Sequence, residues 1–120
     1  MNGAFQDGSP IFHQVEKRIS DNIVSGKLTT DDQVPSTNQF AKHYQINPAT
    51  AAKGINRLVD KGILYKKRGV GMFVASGARK KLVAERQQLF YEEFILPMLE
   101  EAEQLDISVE EVKKMIDGGI

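Results

Sequence analysis

Two clusters of residues in this chain carry the chemistry to grip a nucleic acid. The first is Asn47-Pro48-Ala49-Thr50, with Lys53 one helical turn further on. Asn and Thr side chains hydrogen-bond base edges or phosphates, small residues let a backbone approach a duplex, and a lysine reaches a phosphate or a guanine. The second is Lys66-Lys67-Arg68-Gly69-Val70-Gly71, three consecutive cations followed by a glycine-spaced turn. A basic turn of this kind suits a minor groove or a phosphate backbone. Ser36-Thr37-Asn38 is a weaker third candidate, a helix start whose N–H groups favour a phosphate. Each cluster also has a plainer reading. Asn47 and Ser36 can be simple helix caps, Thr50 a good first-turn residue, and the basic turn a solvated loop. Their succession within one stretch, from Val34 to Val74, favours the functional reading.

Other chemistries find little support. The chain has no cysteine, which excludes disulfides and thiolate metal sites. Its two histidines, His13 and His43, are not framed by acidic clusters, so no metal is expected. Gly69 and Gly71 do not sit in a strand–loop–helix unit, so they do not make a nucleotide loop. No nucleophile–base pair stands out, and neither an enzyme nor a cofactor is expected. No apolar run approaches the ~20 residues of a membrane helix. The first nine residues carry no Lys or Arg and lack a signal peptide's basic start. A cytoplasmic protein with no membrane partner is the expectation.

Formal net charge is zero over 120 residues, but the charge is unevenly spread. Residues 1–75 carry ten basic and six acidic side chains, a net of +4, whereas residues 76–120 carry six and ten, a net of −4. Arg79, Lys80 and Lys81 extend the basic region. Such a chain would meet phosphates with one face only.

The elements that must position these groups are legible in the caps and periodicity. Ser9-Pro10 reads as a hydroxyl cap with proline in the first turn. Ile11, Phe12, Val15, Ile19 and Ile23 recur at helical spacing, and Gly26 supplies a stop, giving a helix over 10–25. Val34 reads as a short strand. Ser36 and Gln39 form a capping box that opens a helix over 36–44. Asn47-Pro48 starts a third helix over 48–61, with Ala51, Ile55, Leu58 and Val59 inward and Gly62 as its stop. Only Gln45 to Asn47 separate the second and third helices, which forces a sharp turn. Ile63-Leu64-Tyr65 and Met72-Phe73-Val74 read as strands of a hairpin joined through Arg68 to Gly71. The fold class is mainly α with a small β-hairpin: a winged helix-turn-helix domain over 1–75.

Residues 76–120 have another character. Residues 78–104 contain no glycine, and Tyr91, Phe94, Ile95, Met98, Leu99, Ala102 and Leu105 follow helical spacing. One long helix is expected, kinked at Pro97, which lacks an N–H and clashes with the Glu93 carbonyl. Ser108 and Glu111 open a further short helix to about Ile116. The stripe is too apolar for water. A C-terminal helical tail is therefore expected to form a homodimer through Leu82, Phe90, Tyr91, Phe94, Ile95, Met98 and Leu99. A small apolar effector is a further expectation, seated near Phe90, Tyr91, Phe94 and Pro97.

The motifs in series resemble those of the GntR family of bacterial transcription regulators. Ser9-Pro10-Ile11-Phe12-His13-Gln14-Val15 is similar to the family's Pro-(Leu/Ile)-Tyr-x-Gln-Ile opening, and Ile23-Val24-Ser25-Gly26-Lys27-Leu28 to its Ile-x-x-Gly-x-Leu. Val34-Pro35-Ser36 is similar to Leu-Pro-Ser, and Asn47-Pro48-Ala49-Thr50 to the start of the recognition helix. Arg68-Gly69-Val70-Gly71-Met72-Phe73-Val74 matches the wing. Asn38 departs from a usual arginine, Ala51 from valine, Ala52 from arginine and Gly54 from alanine. Contacts are therefore expected to lean on the wing and on Asn47, Thr50 and Lys53. The short tail resembles that of the YtrA subfamily. The resemblance implies a homodimeric repressor that binds double-stranded DNA at a palindromic operator, often encoded beside ABC-transporter genes. The alternative is a winged-helix module that binds protein and not DNA.

Overall fold

The computed structural model describes residues 10–118 and resolves into two compact units, the first running to Val83 and the second beginning at Ala84. In the first unit, α1 (Ile11–Val24), α2 (Thr37–Tyr44) and α3 (Pro48–Asp60) precede a hairpin of β1 (Leu64–Lys67) and β2 (Gly71–Val74). α4 (Ala78–Phe90) leads into a π-helical turn over Tyr91–Ile95, then α5 (Leu96–Gln104) and α6 (Val109–Ile116).

The local signals explain most of these bounds. Pro10 is the N-cap of α1 and not its first residue, and it makes no side-chain cap. Ser9, read as that cap from the sequence, lies outside the described residues. Ser36 and Gln39 close a full capping box on α2. Gln45 ends α2 in the left-handed region (φ 55°), which reverses the chain without a glycine and lets the Ile46 amide donate to the Ala41 carbonyl at 3.0 Å. Asn47 then caps α3, its Oδ1 accepting from the Ala49 amide at 2.7 Å.

The core of the first unit gathers Val15, Ile19 and Ile23 from α1, Phe40 and Ala41 from α2, and Ala51, Ile55 and Leu58 from α3. Val34, Ile63, Leu64, Val74, Ala78 and Leu82 complete it. Each fully buried Ile or Leu contributes about 1.5–3 kcal/mol, so α3 is fixed chiefly by its inward stripe. Val59, expected inward, is only partly buried against this core. Leu82, expected on the dimer face, is 3% exposed and belongs to it. The beginning of α4 is thus part of the winged unit, which extends past Ala75. Arg79 is used there too, its Nε donating to the Val24 carbonyl at the end of α1 at 3.0 Å.

The hairpin is longer on its basic side than the apolar pattern suggests. Leu64 pairs with Val74, Tyr65 with Phe73, Lys66 with Met72 and Lys67 with Gly71. Lys66 and Lys67 are strand residues, leaving Arg68-Gly69-Val70 as the turn. The segment 31–34 runs along the free edge of β2. Asp31 and Val34 amides donate to the Val74 and Met72 carbonyls at 2.8 and 2.9 Å, and the Val74 amide donates to the Asp32 carbonyl at 2.9 Å. The strand expected at Val34 is realised as this short edge, with a single bridge between Gln33 and Phe73.

In the second unit the kink expected at Pro97 takes the form of a π-helical turn just before it. A wider turn relieves the clash between the proline ring and the Glu93 carbonyl. It also advances the helical phase by about 100° for the one extra residue it accommodates. The stripe read as continuous therefore divides. Phe90 and Phe94 pair at 5.5 Å between ring centroids. Met98, Ala102 and Leu105 instead border a cavity of about 350 Å³ shared with Ile107, Val112 and Met115. Ser108 and Glu111 close the capping box of α6.

Candidate nucleic-acid interface

α3 presents its first turn to solvent. Asn47, Pro48 and Ala49 are exposed and Thr50 is half-buried. Because Asn47 Oδ1 is spent on the Ala49 amide, its side-chain NH2 is the group left to recognise a partner. Ser36 and Asn38 are exposed and Thr37 is half-buried at the start of α2. Lys66, Lys67, Arg68, Gly69 and Val70 are all exposed, with Gly71 half-buried. Thirteen of the fourteen residues singled out from the sequence thus fall at two helix starts and one hairpin tip of a single unit, and the fourteenth, Lys53, is exposed one turn further along α3.

The wing is stiffened by contacts that sequence reasoning missed. Lys67 Nζ lies 4.6 Å from the centre of the Phe73 ring, and Phe73 stacks on Tyr65 at 5.7 Å. The Tyr65 hydroxyl donates to Asp31 Oδ1 at 2.7 Å, and this bond to a carboxylate, with lesser help from desolvation and charge, raises the phenol's pKa. Gln33 Nε2 donates to the Val70 carbonyl at 3.0 Å. Gly71 has φ +143°, a conformation that favours glycine, and a Cβ there would stand 2.6 Å from that same nitrogen and displace the Gln33 side chain. Gln33 therefore ties the wing tip to the loop that precedes α2.

A second overlooked cluster locks α3 against α1. Lys53 Nζ sits 4.0 Å from the centre of the Phe12 ring, with the Arg57 guanidinium at 5.7 Å from it. Buried Glu16 accepts from Arg57 Nε at 2.8 Å and pairs with Lys61 Nζ at 2.8 Å. Burial pushes the Glu16 carboxyl up, but the hydrogen bonds and charges of Lys61 and Arg57 outweigh it and leave the pKa below the ordinary value. The signal was present as spacing: Lys53 and Arg57 of α3 and its C-cap Lys61 recur every four residues, opposite Phe12 and Glu16 four apart on α1. Gly54 lets the two helices meet, since a Cβ there would lie 2.6 Å from the Phe12 carbonyl oxygen and 2.8 Å from Val15. Its departure from alanine is a packing feature of this helix crossing. Lys53 is consequently a positioned cation and not a freely swinging one.

The residues expected at a dimer face divide by exposure. Phe90, Tyr91 and Phe94 are 53, 56 and 62% exposed. Met98 and Pro97 are exposed and Ile95 and Leu99 half-buried, whereas Leu82 is core. Among the described residues no group of three or more His, Cys, Asp or Glu is placed to hold a metal. No helix there is long and apolar enough to cross a membrane.

The family described as bacterial regulatory proteins, gntR family, matches residues 12–74, from Phe12 of the cation platform to the last residue of the wing. The HTH-type transcriptional regulator YhcF of Bacillus subtilis is 27% identical over 99% of this chain and 100% of its own length. The HTH-type transcriptional repressor YtrA of the same species is 23% identical over 95% of this chain and 92% of itself. The transcriptional repressor NagR, also of B. subtilis, is 32% identical over 62% of this chain, a match that spans only 31% of NagR. Among solved structures, a GntR family transcriptional regulator from Listeria monocytogenes superposes with a TM-score of 0.73 at 23% identity, over 95% of this chain and 98% of its own. The DNA-binding domain of AraR in complex with operator ORX1 gives 0.57 at 32% identity, over 60% of this chain and 94% of that one. The matched span contains every element of the candidate interface, and the chain belongs to the gntR family of bacterial regulatory proteins.

Proposed function

We propose that this protein is a sequence-specific DNA-binding transcription repressor that acts as a homodimer on an inverted-repeat operator. The carrying observation is the joint exposure, within one unit, of the first turn of α3 and the basic hairpin tip. An α-helix entering a major groove reads base edges with its N-terminal residues, which here are Asn47 to Thr50. Lys66, Lys67 and Arg68 then neutralise phosphates on the same duplex. The starts of α2 and α3 add N–H groups suited to further phosphates. The AraR domain, bound to its operator, supports the reading by its likeness over residues that include these elements.

Dimerisation is the second part of the proposal. Phe90, Tyr91 and Phe94 form an apolar surface too large to leave in water at no cost, and a two-fold contact would cover it in both copies. Two recognition helices about 34 Å apart would then address successive major grooves. The same aromatic residues with Pro97 are the place for a small apolar effector, should one tune the dimer.

The test is charge reversal of Lys66, Lys67 and Arg68 to Glu. DNA affinity should vanish while the fold and the dimer persist. Unchanged DNA affinity would favour a protein-binding winged helix instead.

A further inference from the structure

The first unit contains a second feature that the DNA-reading surface does not use. A half-open cleft of about 730 Å³ lies between α1, α2 and the segment that joins them. Its size falls within the range of small-molecule sites. Ile19, Val34 and Phe40 of the core line it, so part of it is apolar. Its polar lining is one-sided in character. Arg18 and His43 and the amides Asn22, Gln33 and Gln39 face it, and among the described residues no carboxylate lines it. The Arg18 guanidinium is itself set 5.0 Å over the Tyr44 ring. A guanidinium and several amide donors above an apolar floor suit a small organic anion with an apolar body.

Two of these amides also belong to the DNA-binding apparatus. Gln39 Oε1 accepts from the Ser36 amide at 2.9 Å and thereby completes the start of α2. Gln33 Nε2 holds the Val70 carbonyl at the wing tip. Gln33 Nε2 keeps a second N–H beyond the one given to Val70, so an anion that draws on it pulls on the same amide that holds the wing tip.

We propose that this cleft is an effector site for a small organic carboxylate, and that Gln33 couples its occupancy to the wing. This rests on the DNA-binding reading for its consequence but not for its binding step. Coupling is reciprocal: an anion that loosens the grip on DNA must itself be held less tightly by the DNA-bound form.

The experiment has a DNA-free arm and a DNA arm, both on the full chain. Benzoate, salicylate, phenylacetate and hexanoate are titrated into isotope-labelled protein, with benzyl alcohol and hexanol as neutral controls. The acids should produce saturable amide shifts in α2, at Gln33 and Val34, and at Val70 and Gly71. The alcohols should not. Asn22→Asp, which sets a carboxylate in the cleft away from the DNA-contacting residues, should weaken the acids about tenfold or more while DNA affinity stays unchanged. Arg18→Gln gives a second route to the same loss, with circular dichroism verifying the fold of each variant. In the DNA arm the binding acid should lower affinity for a selected duplex, and the duplex should lower affinity for the acid by the same factor. The proposal is overturned if no acid shifts the cleft amides at low-millimolar concentration, or if alcohols match acids. Occupancy that leaves DNA affinity untouched overturns the coupling. Failure of the DNA-binding reading would show differently, as no duplex affinity in the absence of any acid.

Discussion

The winged unit and the tail unit solve the burial problem in opposite ways. Up to Val83 the apolar side chains of three helices, the hairpin and the start of α4 converge on one core, in which Val15, Ala51, Ile55 and Leu58 are fully buried. Among the described residues from Ala84 onward only Ala102 and Val112 are buried hydrophobics, while Phe90, Tyr91, Phe94, Leu105 and Ile116 all remain more than half exposed. The first unit covers its apolar core from within. The second carries its apolar surface outward, and its stability as a helix must draw on a partner or on capping and intrahelical bonds. A head with its own core and a tail with apolar surface still to be covered is the contrast that the proposed dimer requires.

Truncating one side chain in each unit gives the largest contrast. Leu58→Ala should cost about 3–5 kcal/mol by leaving a cavity in the core, read as a lowered denaturation midpoint. Phe94→Glu should barely change the midpoint of the winged unit but should convert the wild-type dimer to a monomer in sedimentation. A wild-type monomer at micromolar concentration would remove the tail's proposed role. Gly54→Ala comes next. The added Cβ would press on the Phe12 carbonyl and Val15, and a loss of about 1–3 kcal/mol is expected by denaturant titration, although alanine is the better helix former.

Glu16→Gln probes the ionic half of the same helix contact and should cost about 1–2 kcal/mol, discounted because Arg57 and Lys61 are partly exposed. Its pH dependence has a definite sign. The folded-state pKa of Glu16 is depressed, so its contribution is complete above the ordinary carboxylate range and is lost as pH falls through the folded value. The gap in melting temperature between wild type and variant should therefore close in acid. A gap that widens in acid would reverse the assignment. The smallest effect expected is on the wing. Lys67→Ala and Arg68→Ala should each flatten the salt dependence of DNA binding by about one unit and leave stability unchanged. An unaltered slope in both would take the wing out of the mechanism.

What the sequence revealed, and what it hid, follows the same division. Caps, stops and stripes are local, so Ser36 with Gln39, Asn47-Pro48 and Gly62 located the helices of the reading head to within a residue or so. Contacts between distant segments left no such local mark. Nothing near Gln33 indicates that it holds Val70, and nothing near Gly54 announces that α1 crosses there. Leu82 looked like a dimer residue because a helical stripe does not reveal where one unit's core ends. The π turn was half legible. Pro97 marked the disturbance, but whether the helix would bend or widen depends on carbonyl geometry that no spacing rule encodes. Lys53, Arg57 and Lys61 were readable as a stripe, yet their partner Glu16 became evident only once the two helices were laid together.

Sequencing the duplexes that wild-type protein selects from a randomised DNA pool tests the central claim most directly. Two wings and two recognition helices related by a two-fold axis require an inverted repeat whose half-sites are centred one helical turn, about 34 Å, or a multiple of it, apart. The account predicts enrichment of such a palindrome, with preference at the half-site positions altered by Asn47→Ala or Thr50→Ala. Enrichment of a single asymmetric half-site would contradict the dimeric mode of reading, and no enrichment at all would contradict DNA recognition itself.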